Sequence, residues 1–218
     1  MFRNTFHTGF LSIYYAVGSK PLQIWDVQAK DGTVEPTTDQ DLESTVLAIQ
    51  GANISTTLIS CPSDSHKTLG IKLPWIVFLV KNLDEHFSLE IEILDDKKYR
   101  RRFRASTFQA STRVASNICT MPLKLEAGWN QIKFNLDEFC SRAYGTHFSE
   151  ALRVTVNANC RLRRVYFCDK SYTEAELPGE FKLFRVVRSE ENIQRDVAAA
   201  AEGDGGQECD VEEEQLSE

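Results

Sequence analysis

Apolar and polar residues alternate along this chain on a two-residue period, and a helical period is rare. Phe87, Leu89, Ile91 and Ile93 fall on one side of an extended chain, with Glu90 and Glu92 on the other. That is the pattern of a half-buried strand. Leu152, Val154, Val156, Ala158 and Cys160 repeat it opposite Arg153, Thr155, Asn157 and Asn159, and Ile132, Phe134 and Leu136 share a face after Gly128-Trp129. Gly9 to Tyr15 and Leu22 to Trp25 predict two short strands joined by the turn Gly18-Ser19-Lys20-Pro21. The polar stretch 26–43, which contains Gly32 and Pro36, predicts a surface loop. Thr45 to Gln50 and Ile54 to Ser60 predict a hairpin around Gly51-Ala52-Asn53.

The most apolar stretch, Leu69 to Leu83, contains Gly70, which disfavours helix, and Pro74, which interrupts a central strand. Two strand pieces meeting at a kink are expected there. Asn117 to Leu125 and Arg161 to Cys168 supply further strands. A single helix is signalled, with Asn135 as its cap, Glu138 three residues on and Gly145 as its stop. The sum is an all-β chain, an antiparallel jelly-roll-like β-sandwich with one short helix near residues 136–144.

Composition divides the chain in two. Of 25 basic and 32 acidic residues, one and eleven lie in 189–218, so that segment carries −10. Residues 1–188 keep 24 basic and 21 acidic residues, a net +3. The boundaries follow: a sandwich domain over 1–188, and an acidic tail over 189–218 whose Ala, Gly and Glu content predicts disorder. No run of eighteen apolar residues occurs, so no helical membrane span is expected. The apolar residues between Gly9 and Val17 are interrupted by Ser and Tyr, and predict a strand rather than a signal peptide. The six cysteines, without Cys-x-x-Cys spacing, suit a reduced intracellular chain.

Candidate chemistry is sparse. The four histidines stand far apart in sequence, and no Gly-x-Ser-x-Gly or phosphate-cradling glycine loop occurs. Neither catalysis, a metal nor a cofactor is expected. Glu90 and Glu92 could form a glycosidase-like carboxylate pair, but a solvated strand face is the favoured reading. Trp25, Trp75 and Trp129 could stack on sugar rings, the alternative being core packing, so a glycan-binding sandwich is the second reading.

What stands out is charge: Lys97-Lys98-Tyr99-Arg100-Arg101-Arg102-Phe103-Arg104 follows Asp95-Asp96 directly. A hairpin that keeps apolar residues opposite apolar residues sets Leu89 against Ala105 and Ile91 against Phe103. Glu90 then faces Arg104 and Glu92 faces Arg102, leaving Lys97, Lys98 and Arg100 at the tip, with Arg101 at the rim, for a partner. Arg161, Arg163 and Arg164 form a second candidate patch. A net charge of only +3, no nucleic-acid motif and the acidic tail argue against nucleic acid. An acidic protein fits better.

Several blocks resemble the cilia- and flagella-associated protein twenty family, also called the basal-body up-regulated family. They include Met1-Phe2 with Asn4-Thr5-Phe6, Gly18 through Asp26, Thr68 through Pro74, Leu94 through Lys97, Arg100 through Ser106, Gly128 through Ile132, Arg142 through Thr146, Ala158 through Arg161, Arg163 through Phe167, and Glu176-Leu177-Pro178. The match runs nearly colinearly over about residues 1–183 and departs at 26–43, at 115–117 and in the tail. It implies a non-catalytic jelly-roll in the cytoskeleton of the cilium or flagellum and at the basal body. There it would bridge the A- and B-tubules of axonemal doublet microtubules at the inner junction. The partners implied are tubulin and the parkin-coregulated protein, and the role is support of ciliary motility.

Overall fold

A computed structural model describes residues 1–3 and 9–183. The strands are β1 (Phe10–Tyr15), β2 (Asp26–Ala29), β3 (Gly32–Asp39), β4 (Ser44–Gly51), β5 (Thr57–Cys61), β6 (Trp75–Asn82), β7 (Ser88–Asp95), β8 (Arg100–Ser106), β9 (Arg113–Val114), β10 (Ile118–Pro122), β11 (Gly128–Asn135), β12 (Phe148–Asn157) and β13 (Cys160–Cys168). The helix α1 spans Leu136–Tyr144. One sheet runs β11-β6-β13-β4-β3, with β1 also on β13; the other runs β2-β5-β12-β7-β8-β10-β9. Their inner faces enclose one apolar core that includes Ile49, Phe78, Leu89, Ile91, Phe103, Val154 and Leu162. The all-β sandwich expectation therefore holds, with one parallel pair, β8 with β10, in an otherwise antiparallel set.

Where the structure departs from the sequence reading, edges and corners are responsible. Residues 26–43 are not a loop: β2 and β3 lie there, each at the end of its sheet. Edge strands bury little, so Val27, Thr33 and Glu35 remain exposed and no apolar alternation marks them. Pro36 fits because an edge strand needs no donor on its outer side. Leu22 to Trp25 are consecutive turns, in which Gln23 N–H donates to Lys20 O and Trp25 N–H to Leu22 O. The expected hairpin of β4 with β5 is instead a corner, because the two strands belong to opposite sheets. Gly51 sits where a Cβ would lie 2.5 Å from Thr57 Oγ1, so the chain turns there by close approach. Of the two pieces expected around Pro74, only β6 is a strand; the first contributes one bridge, Ile71 with Ala151.

The helix matches its signals. The Asn135 side chain accepts from Glu138 N–H, and Gly145 adopts φ 61° with its N–H on Ser141 O. A smaller apolar cluster (Val77, Leu79, Tyr166, Cys168) lies on the outer face of the first sheet, covered by Leu177 and Phe181. Phe181 stacks at 4.6 Å on Phe10 and meets Tyr166 edge-on at 4.8 Å. The acidic tail over 189–218 lies outside the described residues, as does His7.

Candidate interaction surface

The β7–β8 hairpin has the register that its apolar residues demand: Leu89 opposite Ala105, Glu90 opposite Arg104, Ile91 opposite Phe103 and Glu92 opposite Arg102. The ion pairs, however, run partly along diagonals. Arg104 meets Glu90 at 2.8 Å, but Arg102 leans to Glu90 at 3.7 Å, and Glu92 is held by Arg100 at 3.0 Å. A long arginine reaches the diagonal neighbour as readily as the one directly across. These exposed pairs contribute under about 1 kcal/mol each. Arg100 therefore stands at the surface with an internal partner already in place.

The tip sorts its charges. Asp95 is fully buried, accepts from Tyr99 N–H at 2.7 Å and pairs with Arg101 Nε at 3.1 Å. The Arg101 guanidinium also lies 4.2 Å from the centre of the Tyr144 ring and 5.0 Å from that of Tyr99. Arg101 is thereby packed into the domain. Asp96 exchanges backbone and side-chain hydrogen bonds with His147. Asp95 is buried, while Asp96, whose carboxylate accepts from His147 N–H, stays exposed beside Lys97 and Lys98. Lys98 takes a left-handed φ of 66°, with its N–H on Asp95 O, as a short hairpin turn requires. Beside the tip is a cleft of about 360 Å³ lined by Arg3, Lys72, Leu94, Lys98, Ser149 and Glu150. Sequence reasoning placed only Lys98 there, because the other walls come from distant segments.

The second arginine group does not form one surface. Arg161 is 2.7 Å from Asp39, and Arg163 donates to Ser44 Oγ and Thr45 O. Arg164 is only 3% exposed, lying 3.6 Å from the centre of the Tyr15 ring and 4.5 Å from that of Phe181. A bulge between Leu162 and Arg164 breaks the alternation and sets Arg164 on the outer face of the sheet beside Tyr166, where Phe181 covers it. Asp39 is the hub of this region, accepting from Trp129 Nε1 at 3.0 Å, Lys81 Nζ at 2.9 Å and Arg161. Burial alone would raise its pKa. The bonds from Trp129, Lys81 and Arg161, with the Lys81 charge, instead hold it far below the usual carboxylate range.

The outward side chains of β5, β7, β8 and β12 include Leu58, Ser60, Glu90, Glu92, Leu94, Arg100, Arg102, Arg104, Arg153, Thr155 and Asn157. None of these is aromatic. Trp25 is buried with its Nε1 on Ile13 O, Trp129 is tied to Asp39, and Trp75 packs against the outer cluster. The tryptophans hence form no joint stacking platform. No group of three His, Cys, Asp or Glu able to hold a metal occurs among the described residues. Cys61, Cys119, Cys140, Cys160 and Cys168 are unpaired and buried. No described helix is long and apolar enough to cross a membrane.

Residues 1–185 match the protein family described as the CFA20 domain. Over 188 residues the chain is 59% identical to Cilia- and flagella-associated protein 20 of Chlamydomonas reinhardtii, covering 86% of this chain and 99% of that relative. The protein of the same name from Caenorhabditis elegans is 58% identical over 194 residues, covering 89% of this chain and 96% of the relative. That from Paramecium tetraurelia is 57% identical over 190 residues, covering 87% and 100%. Among solved structures, the catalytic domain of a GH87 alpha-1,3-glucanase is 8% identical with a TM-score of 0.34, over 76% of this chain and 29% of that one.

Proposed function

This chain belongs to the CFA20-domain family, and we propose that it is a non-enzymatic structural protein of the cilium or flagellum. In this reading it sits on axonemal doublet microtubules, bridges the A- and B-tubules at the inner junction beside the parkin-coregulated protein, and supports beating. Basal bodies are a second expected location. The observation that carries the reading is near-full-length identity, 59% over 99% of a relative named for cilia and flagella. The geometry is compatible with it: a two-sheet domain with Asp95 buried and Lys97 and Lys98 exposed at one end suits a rigid spacer that meets acidic tubulin surfaces. Charge supplies the attraction, which salt screens, while repetition along a lattice supplies persistence.

The test is replacement of the endogenous chain by tagged versions in ciliated cells. The unaltered chain is expected along the axoneme, and density from isolated doublets should place it at the junction. The double variant Lys97→Glu with Lys98→Glu, folded by circular dichroism, should incorporate several-fold less. A tagged chain absent from axonemes overturns the reading. Full incorporation of the double variant removes the tip from it.

A further inference from the structure

We propose that Ser116 is a phosphorylation site for a protein kinase that selects arginine three residues before its target. Arg113 is the recognition residue, and Arg101 is the cation that receives the phosphate. Neither role depends on the microtubule reading.

An arginine stands three residues before a serine or threonine at two places in the chain, Arg104 before Thr107 and Arg113 before Ser116. Thr107 is unsuited. It is half-buried, and its Oγ1 accepts from Phe87 N–H at 3.0 Å and donates to Phe87 O at 3.4 Å. Ser116 is the opposite case. It lies in the turn between β9 and β10, closed by Ala115 N–H on Ile118 O at 2.8 Å, and every residue from Arg113 to Asn117 is exposed. Ser111 and Thr112 are exposed too, but Phe108 and Gln109 occupy the corresponding positions before them. Kinases choose substrates by charge at a fixed offset from the hydroxyl, so this arginine singles out Ser116.

The local fold holds the backbone of the turn and leaves its hydroxyl in reach. Arg101 Nη1 donates to Ser116 O, and Arg102 N–H donates to Asn117 O at 2.9 Å. Among the described residues, none hydrogen-bonds Ser116 Oγ or pairs with the Arg113 guanidinium. Strand β9 is two residues long, ends its sheet and is held on one side by β10. Lifting so short an edge strand costs little, and it lets a kinase read residues 113–117 in extended form. In the transfer, Ser116 Oγ attacks the γ-phosphorus of ATP. The new O–P bond forms as the bond to the β–γ bridging oxygen breaks, ADP leaves, and the serine proton passes to the kinase's catalytic aspartate. The product carries about −1.5 to −2 charges at pH 7 and three acceptor oxygens. The Arg101 guanidinium, already on the carbonyl of the same residue, comes within reach of them and can donate a charge-assisted hydrogen bond, while its Nε stays on Asp95.

The test is transfer of radiolabelled phosphate from ATP to the folded full chain by the catalytic domain of calmodulin-dependent protein kinase II, whose substrates carry arginine at that offset. Incorporation is expected at Ser116, located by peptide mass spectrometry. Ser116→Ala should abolish it, Arg113→Ala should slow it roughly tenfold, and Arg104→Ala should leave it unchanged. All three positions are exposed, so circular dichroism should show each variant folded. Undiminished label in Ser116→Ala, an unchanged rate in Arg113→Ala, or labelling only after denaturation would each overturn the site. The same phosphopeptide should be found in the endogenous chain from cells lysed with phosphatase inhibitors, and its absence there overturns the assignment too. Phosphorus NMR tests Arg101: the second ionisation of the phosphate should fall at lower pH in the folded chain than in urea, because a neighbouring cation favours the dianion. Equal titrations in the two states remove Arg101 from the site.

Discussion

At the scale of single residues, the domain consumes its charges before it displays any. Asp39 is the clearest case: it is fully buried and accepts from three side chains on three strands. Its folded pKa is depressed, so its contribution is complete above the unfolded value near 3.8 and fades as pH falls below that. Asp39→Asn should cost about 3 kcal/mol at pH 7, the lower end for breaking a buried pair, since Lys81 and Arg161 keep partial access to water. Urea unfolding at a series of pH values checks this: the variant should lose less stability than the parent between pH 4 and pH 2. An identical slope for both would show that Asp39 is not the titrating group. Sequence reading missed this hub because Asp39 stands in a stretch that reads as loop, and its donors lie 42, 90 and 122 positions away. Arg101 and Arg164 teach the same lesson. Neither looks different in sequence from Arg100, yet both are packed against aromatic rings.

Elements follow local rules where their signals are local. The helix was legible because its cap, its acidic first turn and its αL glycine all lie within eleven residues of chain. Asn135→Ala should cost about 1 kcal/mol and Gly145→Ala a similar amount, one by loss of the cap bond and the other by strain at φ 61°. Chemical denaturation of each single variant measures this, and a midpoint unchanged in both would show that tertiary packing alone holds α1. The β7–β8 register was likewise legible, since a slip by one residue would drive arginines into the core. Strands β2, β3 and β9 were not. They sit at sheet edges, where hydrogen bonding to one neighbour makes the strand and side-chain burial leaves no pattern.

The molecule as a whole has a sandwich core and a second, smaller apolar layer under the segment that ends at Phe181 and Leu183. Phe181 is 6% exposed and touches Phe10, Tyr166 and the Arg164 guanidinium, so it fastens this segment to the outer face of the first sheet. Phe181→Ala should cost about 3 kcal/mol, the lower end for a buried phenylalanine because the site lies near the surface. Differential scanning calorimetry should show Tm falling by roughly 6–12 °C for a chain of this size. A fall of less than 2 °C would mean that the segment is not a structural part of the domain.

The cleft at the hairpin tip belongs to this largest scale too, because it exists only where the N-terminus, the stretch before β6 and two strand ends meet. The sequence by itself determined the β class, the helix at 136–144, the hairpin register and the family, since each is written in spacing or in contiguous blocks. Only the tertiary structure decided which sheet each strand joins, where β4 turns a corner into β5, and which cations remain at the surface. Strand periodicity names the buried face of a segment but not the neighbour it pairs with. Whether a charge is spent or displayed depends on partners that folding brings from elsewhere in the chain.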